Sequence, residues 1–151
     1  MAYLIAYDGS ADSRHAIEFA AKHLSAERTV IVTVWEPLLV QLARHGAAAA
    51  ALVPSEEPEE PQIQAEAHAK EGAELAIASG LSDVTYRAVA DKSSIWQAIV
   101  DLADEIDASL VVTGSRGLSG VRSVLLGSVS NHVLHHARRP TLIVPPAQET
   151  R

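Results

Sequence analysis

Three glycines and a serine, Gly114, Gly117, Gly127 and Ser128, stand in the spacing G-x2-G-x9-G-S directly after the apolar run Leu110, Val111 and Val112. Glycine reaches positive φ without steric cost and has no side chain to keep an anion away, so main-chain N–H groups can converge on phosphate oxygens. The segment from Ser128 has helical periodicity, and residues 128–137 are expected to form a helix. The N–H groups of a helix's first turn lack intrahelical partners, and the positive end of its dipole lies there, which suits phosphate. Each such interaction contributes roughly 0.3–1 kcal/mol, so several must act together to hold a nucleotide. Arg116 and Arg122 are placed in the same stretch to balance a polyphosphate's charge, although surface arginines are also common. Ser128 and Ser130 can donate to phosphate oxygens or cap the helix, and the two roles are compatible.

The Walker pattern G-x-x-x-x-G-K-S/T and the dinucleotide fingerprint G-x-G-x-x-G are both missing. With G-x2-G-x9-G-S/T near its end and an Asp8-Gly9-Ser10 turn after its first apolar strand, the chain resembles the universal stress protein family in its ATP-binding branch. The resemblance covers nearly the whole chain. It implies that Asp8 helps to hold the adenosine portion of ATP and that Val34 lies beside adenine. It aligns Thr113, Gly114, Gly127, Ser128, Val129 and Ser130 with the nucleotide-contacting stretch. On residue type alone Asp8 stands equally well as a turn or N-cap aspartate, and Val34 as a core valine. The chain departs from the family pattern at Ala90-Asp91-Lys92, where glycine is frequent, and in an alanine-rich insert after the second strand.

These residues have to be positioned by elements that can be read from periodicity. Leu4-Ile5-Ala6 reads as a buried strand, and residues 29–35, 84–90, 110–112 and 141–144 read as four more. A helix carrying Ile17, Ala20, Ala21 and Leu24 follows the first strand, with Ser10 or Asp12 as its cap. Residues 63–79 are helical by composition and stop at Gly80. Ser93 or Ser94 caps a helix whose apolar face runs through Ile95, Ala98, Ile99, Leu102, Ala103 and Ile106. Residues 36–61 hold alanines 47–51 and an acidic, proline-rich stretch, and are expected to be a long solvated loop, often a lid or partner surface. The alternation of strand and helix predicts one α/β domain over residues 1–151. It is an open, doubly wound, Rossmann-like parallel sheet of five strands in the order 3-2-1-4-5 with helices on both faces. In that order the winding reverses between strands one and four, so Asp8 and Thr113 are expected to face each other across one crevice.

A chain of 151 residues fits a single domain, and 48% apolar residues suit a globular core. A formal charge of −7 argues against a nucleic-acid surface, while local basic residues can still serve one anion. The absence of cysteine excludes disulfides and fits a reducing compartment. No charged leader precedes the first strand, and the alanine-rich insert is too short to span a bilayer, so a cytoplasmic protein is expected. His132, His135 and His136 suggest metal, yet no carboxylate or cysteine completes a ligand set, and no metal site is assigned to them.

The reading that follows is an ATP-binding, nucleotide-dependent stress-response regulator, with Mg²⁺ held between the bound phosphates and solvent. Two alternatives are a slow ATPase or an enzyme that phosphorylates itself on Ser128 or Ser130, and a dimeric interaction module with a vestigial pocket. No dedicated general base stands out near the loop beyond Asp8. Residues 141–144 form an edge strand, a liability that pairing with a two-fold copy would cover, and the resemblance also implies such a homodimer.

Overall fold

The computed structural model describes residues 1–25, 27–44, 57–115 and 128–147, with no account of the Arg44 side chain. Its elements run β1 (Ala2–Ala6), α1 (Ala11–His23), β2 (Arg28–Trp35), α2 (Leu38–Arg44), α3 (Glu60–Ala78), β3 (Val84–Ala90), α4 (Ile95–Glu105), β4 (Ala108–Gly114), α5 (Ser128–His136) and β5 (Thr141–Val144). The sheet has the order β3-β2-β1-β4-β5 and every pairing is parallel, as the alternation predicts.

Side chains alternate across a strand, so each central strand feeds two cores. On one face Ile5, Tyr7, Ile31 and Val112 meet Ala16, Ile17 and Ala20 of α1 and Ala73 and Ala76 of α3. On the other, Leu4, Ala6, Val30, Val32 and Val111 meet Ile99, Leu102 and Ala103 of α4 and Val133 of α5. Both faces are covered, which explains why the strands read as continuous apolar runs.

The caps resolve two open choices. Ser10 caps α1 by accepting from the Ser13 N–H, and Ser94 caps α4 by accepting from the Gln97 N–H. Gly80 ends α3 at φ +119°, with Gly80 N donating to Ile77 O and Leu81 N to Ala76 O, the paired bonds that close a helix on a left-handed residue.

The segment expected to be irregular over residues 36–61 contains the seven-residue α2, and α3 begins at Glu60 rather than at Ile63. Proline explains both differences. Pro37 precedes α2 and its carbonyl accepts from Gln41 N at 3.0 Å, while Pro61 occupies the first turn of α3, where its missing N–H costs nothing. The Glu59 carboxylate ties the two helix starts together by accepting from Leu38 N at 3.0 Å. Alanines 47–51 and the first part of the acidic stretch lie outside the described residues.

Candidate functional site

Past the end of β1 the chain must leave the sheet and enter α1 within a few residues. Gly9, at φ +82°, makes the turn. Asp8 Oδ1 accepts from Ser10 N at 2.9 Å and from Ser13 Oγ at 2.8 Å, so one carboxylate oxygen ties the turn to the first turn of α1. Both bonds fall on Oδ1, and Oδ2 keeps its capacity to accept. Asp8 is therefore a turn aspartate and a residue at the mouth of the crevice at once.

The facing wall is the end of β4. Gly114 is the residue of closest approach: a Cβ placed on it would lie 3.4 Å from the backbone and from the Cβ of Asp12. A narrow cleft is lined by Ala6, Asp8 and Asp12 on one side and by Thr113, Gly114, Val129 and Ser130 on the other. The convergence predicted from the winding reversal is thus present, with residues more than a hundred positions apart in sequence on one rim.

Ser130 is fully buried and donates its hydroxyl to the Gly114 carbonyl at 2.5 Å. The buried Thr113 hydroxyl lies 3.3 Å from Ser130 Oγ and donates to it. These bonds fasten α5 to the last residues of β4, so that Ser130 acts in this structure as a strut. Val129 is half-buried and packs on the α4 side of the core. Ser128 is exposed at the first position of α5. Arg116, Gly117, Arg122 and Gly127 lie outside the described residues.

A second cavity of about 230 Å³ opens beside the first and shares Asp8 with it. Val34 and Ile95 give it apolar walls, and Thr33, Gln64 and His68 give it polar ones. Thr33 is held by donating to the Tyr7 carbonyl at 2.8 Å, which extends the sheet's order past the end of β1. His68, on α3, reaches the Gly9 turn, its ring 3.4 to 3.6 Å from where a Cβ on Gly9 would sit. Sequence reasoning missed Gln64, His68 and the cleft-lining role of Asp12. The two α3 residues carry no local signal, because only the packing of α3 over β2 and β3 brings them to this rim.

Behind the turn, the buried Tyr7 hydroxyl donates to Glu71 Oε1 at 2.6 Å, and Arg14 donates to the same oxygen. Burial, followed by the bond to Glu71, pushes the Tyr7 phenol up from 10.0 to about 12. The Tyr7 hydroxyl and the Arg14 guanidinium together hold the Glu71 carboxyl below its ordinary value. A phenol pKa raised in the folded state contributes stability below the unfolded value, and that stability is lost as pH climbs through the folded one. The stability difference between the wild type and Tyr7→Phe is expected to shrink between pH 10 and about 12, read from urea midpoints. A difference independent of pH over that range would overturn this.

His132 and His136 stack on Trp96 of α4, at ring-centroid distances of 5.2 and 4.7 Å. Among the described residues no group of three or more His, Cys, Asp or Glu side chains is placed to hold a metal ion. Among them, too, no helix is long and apolar enough to cross a membrane.

Comparison with known proteins agrees with this geometry. A family model described as the universal stress protein family matches residues 3–145. A universal stress protein of Mycolicibacterium smegmatis is 30% identical over 146 residues, covering 93% of this chain and 47% of that protein. The chain thus spans about half the length of that relative. A universal stress protein solved in complex with cAMP is 28% identical, with a TM-score of 0.67 over 97% of this chain and 98% of that one. The Archaeoglobus fulgidus protein of the same description, in complex with dAMP, has a TM-score of 0.68 at 21% identity, over 95% and 96% of the two chains, and is a likeness in fold.

Proposed function

Because the chain belongs to the universal stress protein family, we propose that it binds ATP in the crevice between β1 and β4 and acts as a nucleotide-dependent regulator of the stress response. The observation that carries this reading is the meeting of the Asp8 turn with Thr113 and Gly114 on one rim, beside a cavity walled by Val34. Solved relatives holding cAMP or dAMP support it. In this reading the adenine lies against Val34, and Asp8 Oδ2 accepts from the adenosine portion. The main chain at Gly114, Gly117 and Gly127 takes the phosphates, with Arg116 and Ser128 adding donors. Thr113, Val129 and Ser130 form the floor.

The rim is acidic, since Asp8 and Asp12 both border the cleft. A triphosphate brought there needs a cation between the like charges, and Mg²⁺, which keeps several waters and takes one or two carboxylates plus phosphate oxygens, fits that demand. The cation is then held mainly by the phosphates. We place the protein in the cytoplasm, where ATP and a reducing milieu suit a chain without cysteine.

ATP is held rather than turned over. Binding ground state and transition state equally accelerates nothing, and Asp8, with Oδ1 taken by two donors and Oδ2 given to the adenosine portion in this reading, has no oxygen left facing the phosphates to act as a base. Ser130 is disfavoured as a phosphate acceptor because its hydroxyl already donates to Gly114 O. Phosphate release by the purified protein with saturating Mg·ATP should fall well below the roughly 10 s⁻¹ typical of enzymes. Turnover at ordinary rates, lost in Asp8→Ala while ATP still binds, would make the protein an ATPase instead.

We also propose a homodimer through β5, whose far edge carries no neighbouring strand among the described residues. Pairing with a two-fold copy would satisfy both edges. Sedimentation at micromolar protein should show twice the chain mass, and a monomer would count against the pairing.

A further inference from the structure

The first residue of α5, Ser128, is a phosphate donor in the reading above, and its neighbour one turn on is His132. His132 Nδ1 lies 2.7 Å from the Ser128 carbonyl oxygen and 3.4 Å from Ser128 Oγ. A carbonyl oxygen only accepts, so the shorter contact fixes the tautomer with the proton on Nδ1. The same N–H then faces the Ser128 hydroxyl as a donor. The hydroxyl accepts on that side and keeps its own proton for an acceptor on the other, such as an anionic oxygen.

The imidazole is itself held in place. It stacks on Trp96 at an interplanar angle of 13°, and the Trp96 ring, packed against the core under α4, stacks on His136 at 24°. A ring pinned between two helices loses little further freedom when a ligand arrives, and pre-ordering of this kind saves affinity that would otherwise go into fixing a rotamer.

We propose that His132 is a positioning residue for Ser128: by donating from Nδ1 to the first carbonyl of α5 and facing the hydroxyl with the same proton, it turns the Ser128 O–H toward the phosphates of a bound nucleotide. This rests on reading the crevice as a nucleotide site. It adds that the phosphate chain, and not the nucleoside, depends on His132. His132 and His136 thereby connect Trp96 of α4 to the anion-facing end of α5.

The test compares ATP with adenosine by calorimetry on the full chain. His132→Phe keeps a stacking ring and removes the donor, whereas His132→Asn keeps a donor near the Nδ1 position and removes the ring. His132→Phe should bind ATP about tenfold more weakly, because the Ser128 hydrogen bond to a charged phosphate loses its alignment, while its affinity for adenosine stays unchanged. His132→Asn should recover most of the ATP affinity. In a Ser128→Ala background His132→Phe should cost nothing more, because the two residues act as one unit. Wild-type ATP affinity in His132→Phe would overturn the proposal, as would an equal loss for ATP and adenosine, which marks a packing effect. A wild-type protein that binds adenosine but not ATP would also overturn it and leave the base cavity standing. Failure of the wild type to bind either ligand would overturn the nucleotide reading itself.

Discussion

If the crevice holds ATP as proposed, Gly127→Val is expected to leave the domain folded and to weaken ATP binding by at least a hundredfold, a loss of about 2.7 kcal/mol or more. Gly127 immediately precedes Ser128, where α5 begins, and it is the last glycine of the G-x2-G-x9-G-S pattern. In the proposed site a valine there would put two methyl groups where main-chain N–H groups have to approach phosphate oxygens. It also disfavours the backbone conformations that glycine reaches freely. Several weak donors then lose their alignment together. The core residues that hold α5, Val133 and Ala137, lie further along the chain, so the thermal midpoint should change little. Calorimetry with ATP and a melt of the same sample decide the matter. Equal affinity in a folded variant would remove the glycine loop from the phosphate site.

The largest expected loss of stability falls on Gly72→Leu. Gly72 lies in α3 where the helix comes closest to the sheet, and a Cβ there would sit 2.8 Å from the Tyr7 ring and 2.9 Å from an Ile31 methyl. Both neighbours are fully buried, and Tyr7 is further tied by its bond to Glu71, so neither can yield cheaply. For Gly72→Ala two effects oppose one another: the better helix propensity of alanine contributes about 1 kcal/mol, and the overlap costs roughly 1–3 kcal/mol. Leucine keeps the first effect and enlarges the second. Gly72→Leu should therefore lose about 3 kcal/mol or more, a large share of the 5–15 kcal/mol of a typical domain. Urea midpoints of the two variants against the wild type measure this, and an unchanged midpoint for leucine would show that α3 can slide away from Tyr7 and β2.

Much of this architecture was legible because two periodicities do not overlap. Ile17, Ala20 and Leu24 repeat as only a helix requires, and β3 and β5 fall on the predicted residues because glycine, proline or a cap bounds them. The crevice was legible one step later, as a consequence of strand order. The short α2 was not, since Leu38 and Leu39 are largely exposed and seven residues are too few to establish a face. Nor was the Tyr7, Arg14 and Glu71 network, whose members come from the connection after β1, from α1 and from α3, with no shared pattern in sequence. Ser130 shows the limit most clearly. Its place beside the phosphate pattern was evident, whereas its burial and its bond to Gly114 O depend on how deeply α5 seats, which no spacing encodes.

The register of the two central strands also bears on how the chain acquires and keeps its shape. β1 pairs with β2 and β2 with β3 through moderate separations, but β1 pairs with β4 by setting Ala2 against Ala108 and Ile5 against Val112. Closing a loop of that length costs about 4 kcal/mol of chain entropy before any contact repays it. The crevice lies on this seam, so it does not exist until the seam has shut. If a nucleotide binds there as proposed, it cannot template the joining of the two halves, because half of its site is missing beforehand. Once bound at a hundred times its dissociation constant it adds about 2.7 kcal/mol against reopening. It would then work as a removable cross-link, lengthening the lifetime of the closed sheet while leaving the rate of its formation unchanged.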